Sequence, residues 1–197
     1  MCPVGVYSRL GSQHGFSRWV DYKTTGSSDN WVEFQADSNY DGLLSTRRFE
    51  INNHLFIITS TIKNVTSSII KTSLGEHLYF NLDGLDTTDL RFNGQFLDEM
   101  FGKDSAASVD SGSSIHWRDF NGVIGIDFAK QKQLHLSADT DEPSLLGLSF
   151  WRRPGTDSIC VEPTVGYVDS ENKFASNLID LVHQKAFKLI TKITLLS

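Results

Sequence analysis

The chain is poor in cysteine, with two in 197 residues, Cys2 and Cys160. They stand near opposite ends of the sequence and form no Cys-x-x-Cys pair, which argues against a zinc site or a disulfide scaffold and leaves each as a buried or incidental thiol. Long hydrophobic runs are also lacking: no segment approaches the ~20 apolar residues that a membrane span requires, so no membrane association is expected. The opening Met1-Cys2-Pro3-Val4-Gly5 has no charged stretch leading into an apolar one, so no secretory signal is read and the expected location is the cytoplasm. Positive charge is in deficit, 18 Lys and Arg against 24 Asp and Glu for a net charge of −6. That removes the broad basic surface needed to bind a phosphate backbone and excludes nucleic acid as an expected partner, while a local basic pocket stays open. Neither an internal repeat nor a linker-like stretch divides the sequence. A core at this length can bury roughly 70% of the unfolded chain's surface, so residues 1–197 are expected to form one domain.

Helix signals are scarce. What is present is a series of short segments rich in β-branched and aromatic residues, bounded by Gly, Asn, Asp and Ser, the pattern of an all-β antiparallel protein. Strands are expected near Phe16–Tyr22, Trp31–Ala36, Thr46–Ile51, Leu55–Lys63, Ile69–Gly75, Ser114–Trp117, Val123–Phe128, Gln133–Ser137, Leu145–Trp151, Ser158–Val161 and Phe187–Leu195, with a spacing that suggests a sandwich. In the last, Phe187, Leu189, Thr191, Ile193 and Leu195 share one face and Lys188 and Lys192 the other, so it should close a sheet. Asp83 to Ser114 reads as a long Asp-, Gly- and Ser-rich loop whose Lys103–Ser114 part is flexible. Asn177–Lys185 fits one or two helical turns, with Leu178, Leu181 and Val182 on one side.

Three phrases could carry chemistry. Leu74-Gly75-Glu76-His77-Leu78-Tyr79-Phe80-Asn81-Leu82 sets a histidine beside two aromatics and an asparagine where a strand runs into a loop. Imidazole exchanges protons near neutrality, aromatic faces pack on the C–H faces of a pyranose, and the amide bonds hydroxyls. The same position also suits a core histidine at a strand end. Asp157-Ser158-Ile159-Cys160-Val161-Glu162-Pro163 puts a carboxylate at the end of an apolar strand, where partial desolvation raises its pKa towards that of a general base. An ordinary exposed strand-end glutamate is the plainer alternative. Gly11-Ser12-Gln13-His14-Gly15-Phe16-Ser17-Arg18-Trp19 supplies a second histidine, an indole and a guanidinium able to clamp hydroxyls or a phosphate, or else is a turn entering a strand. His54, His116, His135 and His183 show no metal-ligand spacing and read as structural or surface residues. Asn64-Val65-Thr66 is formally a glycosylation sequon, of no use to a cytoplasmic chain.

In this order the three phrases resemble the galactose-mutarotase-like family, which includes aldose 1-epimerases and hexose-6-phosphate mutarotases. The resemblance runs from about Gly11 to the C-terminus. His14-Gly15-Phe16-Ser17-Arg18 looks like the family's histidine-glycine-phenylalanine turn. Leu55–Leu82 looks like its strand, turn, strand and histidine-x-tyrosine-phenylalanine-asparagine pattern, and Phe150 to Pro163 its tryptophan-containing strand and cysteine-x-glutamate-proline strand end. The resemblance implies a large antiparallel β-sandwich, N-terminally shortened, since the strands that precede the His14 turn have no counterpart and Met1–Leu10 is at most a remnant of the last. An unpaired sheet edge left in this way would favour a homo-oligomer.

It further implies His77 as general acid to the ring oxygen and Glu162 as general base to the anomeric hydroxyl, with His14, Arg18 and Trp151 binding substrate, the last against a core alternative. No cofactor and no metal are implied, because the reaction only moves protons. The partner is a small sugar or sugar phosphate; Arg18 beside Arg152 or Arg153 would favour the phosphorylated form. The family's asparagine-arginine motif has no counterpart, and its sugar-binding aspartate is not assigned among Asp127, Asp139 and Asp141. The reading is an aldose 1-epimerase, with a non-catalytic carbohydrate-binding protein of the same fold as the alternative and a chain that folds only with a partner as a third.

Overall fold

The computed structural model describes residues 20–128, 132–166 and 178–196. Fifteen strands are described: β1 (Tyr22–Ser28), β2 (Trp31–Ala36), β3 (Leu43–Asn52), β4 (Leu55–Asn64), β5 (Ile70–Thr72), β6 (Leu74–Gly75), β7 (Leu78–Asn81), β8 (Leu90–Phe92), β9 (Ile115–Trp117), β10 (Val123–Phe128), β11 (Lys132–Thr140), β12 (Leu146–Trp151), β13 (Ser158–Val165), β14 (Ile179–Leu181) and β15 (Ala186–Leu196). They form an eight-stranded sheet in the order β1-β2-β3-β4-β15-β11-β10-β8, a five-stranded sheet β6-β13-β12-β9 in which β7 also pairs with β13, and a two-stranded sheet of β14 and β5. Every pairing is antiparallel.

Alternation along the strands builds the core. On β15, Phe187, Leu189 and Thr191 are buried while Lys188 and Lys192 are exposed, as the period-2 pattern predicts. The strand lies in the middle of the large sheet, between β4 and β11, so it joins two halves of the sheet rather than bounding it. Its far end leaves the core, with Leu195 57% exposed. From the smaller sheet, Ile159, Val161 and Val165 of β13 and Leu146, Leu148 and Phe150 of β12 pack into the same apolar cluster as Ile62, Leu134, Leu136 and Leu189 of the large sheet.

Several sequence expectations are corrected. Asp83–Ser114 is no open loop: it holds β8 and two short helices, α1 (Leu97–Phe101) and α2 (Ser105–Asp110), and Leu97, Ala106 and Val109 are fully buried in the core. Small residues and a helix of six leave too little periodicity to read. Of the expected helical segment Asn177–Lys185, residue 177 lies outside the described residues and the rest holds the strand β14 instead of helical turns. Ile179 and Leu181, two apart, are the buried pair, whereas Val182 is 42% exposed. Ile69–Gly75 divides into β5 and β6, which lie in different sheets. Of the expected strand Phe16–Tyr22, residues 16–19 lie outside the described residues, and β1 extends to Ser28 through a polar stretch that carries no apolar alternation. The sequon asparagine Asn64 is fully buried, donating to the carbonyls of Ser68 and Leu181 at 2.6 and 2.7 Å, which makes it a structural clamp between β4 and the β14 segment. Among the described residues no helix is long and apolar enough to cross a membrane.

Candidate active site

The site is built on the face of the smaller sheet turned away from the core. On β13 the core-facing side chains are Ile159, Val161 and Val165, so Cys160, Glu162 and Thr164 point the other way; on β12, Gly147, Ser149 and Trp151 do the same. Glu162 therefore sits inside a strand that continues to Val165, not at a strand end as the sequence suggested.

Pro163 acts on the neighbouring strand. β6 pairs with β13 through Gly75↔Thr164, and β7 pairs with it through Leu78↔Val161 and Tyr79↔Cys160, in one common register. Counting across the gap sets Glu76 opposite Pro163 and His77 opposite Glu162. Glu76 N–H donates to the Pro163 carbonyl at 3.0 Å, but proline has no N–H to return, so the ladder opens here and β6 and β7 are two strands instead of one. The glutamate-proline pair thus supplies the carboxylate and the break that frees His77 from the sheet.

His77 and Glu162 meet. Nε2 of His77 lies 3.2 Å from Oε1 of Glu162, with side-chain exposures of 7% and 16%. Nδ1 of His77 lies 2.6 Å from Sγ of Cys160, two residues before Glu162 on the same face, so the imidazole spans the step between them. The ring stacks on Tyr79 with centroids 5.0 Å apart, and Trp151 meets it edge-on at 6.0 Å. Trp151 is half-buried and donates its indole N–H to the Gly112 carbonyl at 2.9 Å, so it lies on the site face rather than in the core.

Electrostatics follow from burial. Desolvation raises the Glu162 carboxyl from 4.5 to about 7, against a smaller lowering by a hydrogen bond from Cys160. The Cys160 thiol is pushed up beyond its ordinary range, first by burial and then by the charge of Glu162, so it stays protonated. Its single S–H proton serves Glu162 while its sulfur accepts from Nδ1–H of His77, an arrangement that satisfies both contacts.

The break between β6 and β7 also holds an anchor that the sequence did not reveal. Glu76, 1% exposed, pairs with Arg47 of β3 at 2.6 Å and accepts from Ser60 of β4. Successive residues of the break therefore point opposite ways, Glu76 to the large sheet and His77 to the site.

His77, Cys160 and Glu162 each offer one donor atom within 4.8 Å of the others, the geometry in which a metal is first sought. The sulfur and the carboxylate flank opposite nitrogens of the ring, and an Nδ1···Sγ separation of 2.6 Å is too short for both atoms to hold one zinc at bond lengths near 2.0 and 2.3 Å in a tetrahedral arrangement. These residues suit proton exchange better than metal binding. Arg152 donates to Asp110 at 2.8 Å and to the Thr156 carbonyl, so its charge is engaged by α2 and a loop. Arg153 is exposed. His14 and Arg18 lie outside the described residues.

No protein-family model matches the sequence, and no curated protein matches it. Solved structures do. A galactose mutarotase-like protein from Lactobacillus casei superposes with a TM-score of 0.74 at 18% identity, covering 94% of this chain and 76% of its own. A galactose mutarotase related enzyme from Lactobacillus acidophilus gives 0.72 at 15% identity over 94% and 74%. A protein from Escherichia coli K12 provisionally described as an aldose 1-epimerase gives 0.70 at 13% identity over 93% and 71%. At such identities the likeness is one of architecture, and it agrees with the resemblance read from the motifs: the chain has the galactose mutarotase-like β-sandwich fold.

Proposed function

We propose that the chain is an aldose 1-epimerase that interconverts the α and β anomers of a hexose through His77 and Glu162. The observation that carries this reading is the buried pair at 3.2 Å whose carboxyl is raised to about 7. A carboxyl raised to about 7 can both take and give a proton near neutral pH, and Nε2 of His77 lies within reach to exchange it.

Anomer exchange uses such a pair directly. In the reactive form of the pair the shared proton sits on His77 as imidazolium and Glu162 is the carboxylate. The carboxylate of Glu162 takes the proton from the anomeric hydroxyl while His77 gives its own to the ring oxygen, the C1–O5 bond breaks, and an open aldehyde forms with the pair now neutral. Rotation about C1–C2 presents the other face of the aldehyde. Closure returns the proton from Glu162 to O1 and the proton from O5 to His77, and the pair is reset. Protons balance, and each positioned group supplies roughly 10²–10⁴-fold. Tyr79, 54% exposed and stacked on His77, offers an aromatic face to the sugar's C–H groups. His14 and Arg18 remain proposed substrate-binding residues on the resemblance alone.

Polarimetry on fresh α-D-glucose and α-D-galactose, with an anomer-specific coupled assay for glucose 6-phosphate, tests the proposal. The expected result is acceleration that disappears in His77→Ala and Glu162→Ala. Sugar binding without acceleration by the folded parent chain would favour the non-catalytic carbohydrate-binding reading.

A further inference from the structure

The register that sets His77 opposite Glu162 does not stop there. Glu162 pairs with Ser149 of β12, and Ser149 pairs with His116 of β9. Directly paired residues of antiparallel strands share a face. His77, Glu162, Ser149 and His116 therefore form one polar row across the site face, and nothing in the spacing of the sequence announces it.

The far end of this row is organised. Nδ1 of His116 lies 2.7 Å from Oγ of Ser149, which is buried at 6% exposure, whereas His116 itself is exposed. A pocket opens beside them, lined by His116, Arg118, Gly147, Ser149 and Thr164. The rows on either side differ in height. On one, Tyr79, Cys160 and Trp151 raise an aromatic wall; on the other, Gly75, Thr164 and Gly147 lie low. A Cβ at Gly75 would come within 2.8 Å of Thr164 Cγ2, so that low side depends on the glycine. The row between them runs from Glu162 two strand spacings, roughly 10 Å, to the pocket at His116.

The geometry points to His116 as a specificity-determining residue that contacts a hydroxyl of the bound aldose remote from C1, with Ser149 as the positioning residue that fixes its ring. The inference rests on the proposed epimerase site and names how that site chooses among sugars. With Nδ1 held by a hydroxyl, the imidazole keeps one orientation, which is what discrimination between hydroxyl configurations requires.

The test is steady-state mutarotation by His116→Ala, Ser149→Ala, Ser149→Thr and the double alanine variant, on glucose, galactose and their singly deoxygenated analogues. His116→Ala is expected to raise KM about 3- to 10-fold with kcat within twofold of the parent, the loss expected of one hydrogen bond. Ser149→Ala should give part of that rise and none on top of His116→Ala, while Ser149→Thr restores the parent value. One deoxy sugar should be indifferent to His116→Ala, which identifies the hydroxyl. Binding of the same sugars, followed by tryptophan fluorescence, separates the two failures. A parent chain that binds sugar without turnover, and binds it more weakly after His116→Ala, defeats the epimerase proposal and keeps this one. Unchanged KM and binding in His116→Ala, additive effects of the two alanine changes, or equal rises for every deoxy sugar overturn it.

Discussion

Between pH 4.5 and about 7 the folded chain keeps a proton on Glu162 that the unfolded chain has already released. The folded state therefore binds more protons in this window, and stability falls as pH rises through it. The stabilisation is fully present below 4.5 and lost above about 7, on the order of 3 kcal/mol across the raised interval. Glu162→Gln removes this dependence. Its thermal midpoint should exceed that of the parent increasingly from pH 5 to pH 8, and equal displacement at both pH values would contradict the assignment of a raised carboxyl. Activity should respond to the same group in another way. In the proposed reaction the pair works only with one proton, so kcat/KM should be bell-shaped with its maximum near neutrality, falling when the pair gains a second proton and when it loses the first. A profile that only rises or only falls between pH 5 and 9 would rule out the shared-proton scheme. His77 and Glu162 were legible in the sequence because each stands in a phrase of distinctive residues. Ser149, His116, Arg47 and Ser60 were not, because strand register alone makes them neighbours of the site or its anchor.

At the scale of elements, the break between β6 and β7 is held from behind. Glu76 carries a buried charge into the large sheet, matched by Arg47, whose side chain is 13% exposed. Removing one partner strands the other, so Glu76→Gln should lower unfolding free energy by about 3 kcal/mol in denaturant titration, and adding Arg47→Met should recover much of the loss. No recovery would mean that Arg47 has work beyond the pair. On β15 the sequence placed Thr191 on the core face, where it is indeed fully buried, and among the described residues its hydroxyl has no hydrogen-bond partner. Thr191→Val keeps the shape and drops the unsatisfied hydroxyl, and should raise stability by about 1 kcal/mol. Lower stability would show that the hydroxyl has an interaction after all. The long alternating strands were readable because half-buried strands announce a period of two. β6, β7 and β14 were not, since two to four residues are too few to show a period, and the helix-like spacing of Leu178, Leu181 and Val182 competed with the strand-like spacing of Ile179 and Leu181.

For the whole molecule, the eight- and five-stranded sheets share one apolar core, and the outer face of the five-stranded sheet carries the candidate site. The large sheet supports the site through the Arg47–Glu76–Ser60 contact, α2 holds Arg152 through Asp110, and β13 runs through the centre of the arrangement with Cys160 and Glu162 on one side and Ile159 and Val161 on the other. The central claim is that this scaffold holds one shared proton against a sugar's anomeric centre. The most direct measurement is NMR exchange between the two anomers of glucose, galactose and glucose 6-phosphate, each at equilibrium near pH 7, with and without the chain. The account predicts faster exchange for at least one of them, abolished in both His77→Ala and Glu162→Gln; a folded parent chain that leaves all three at the buffer rate, or a Glu162→Gln variant as fast as the parent, would contradict it.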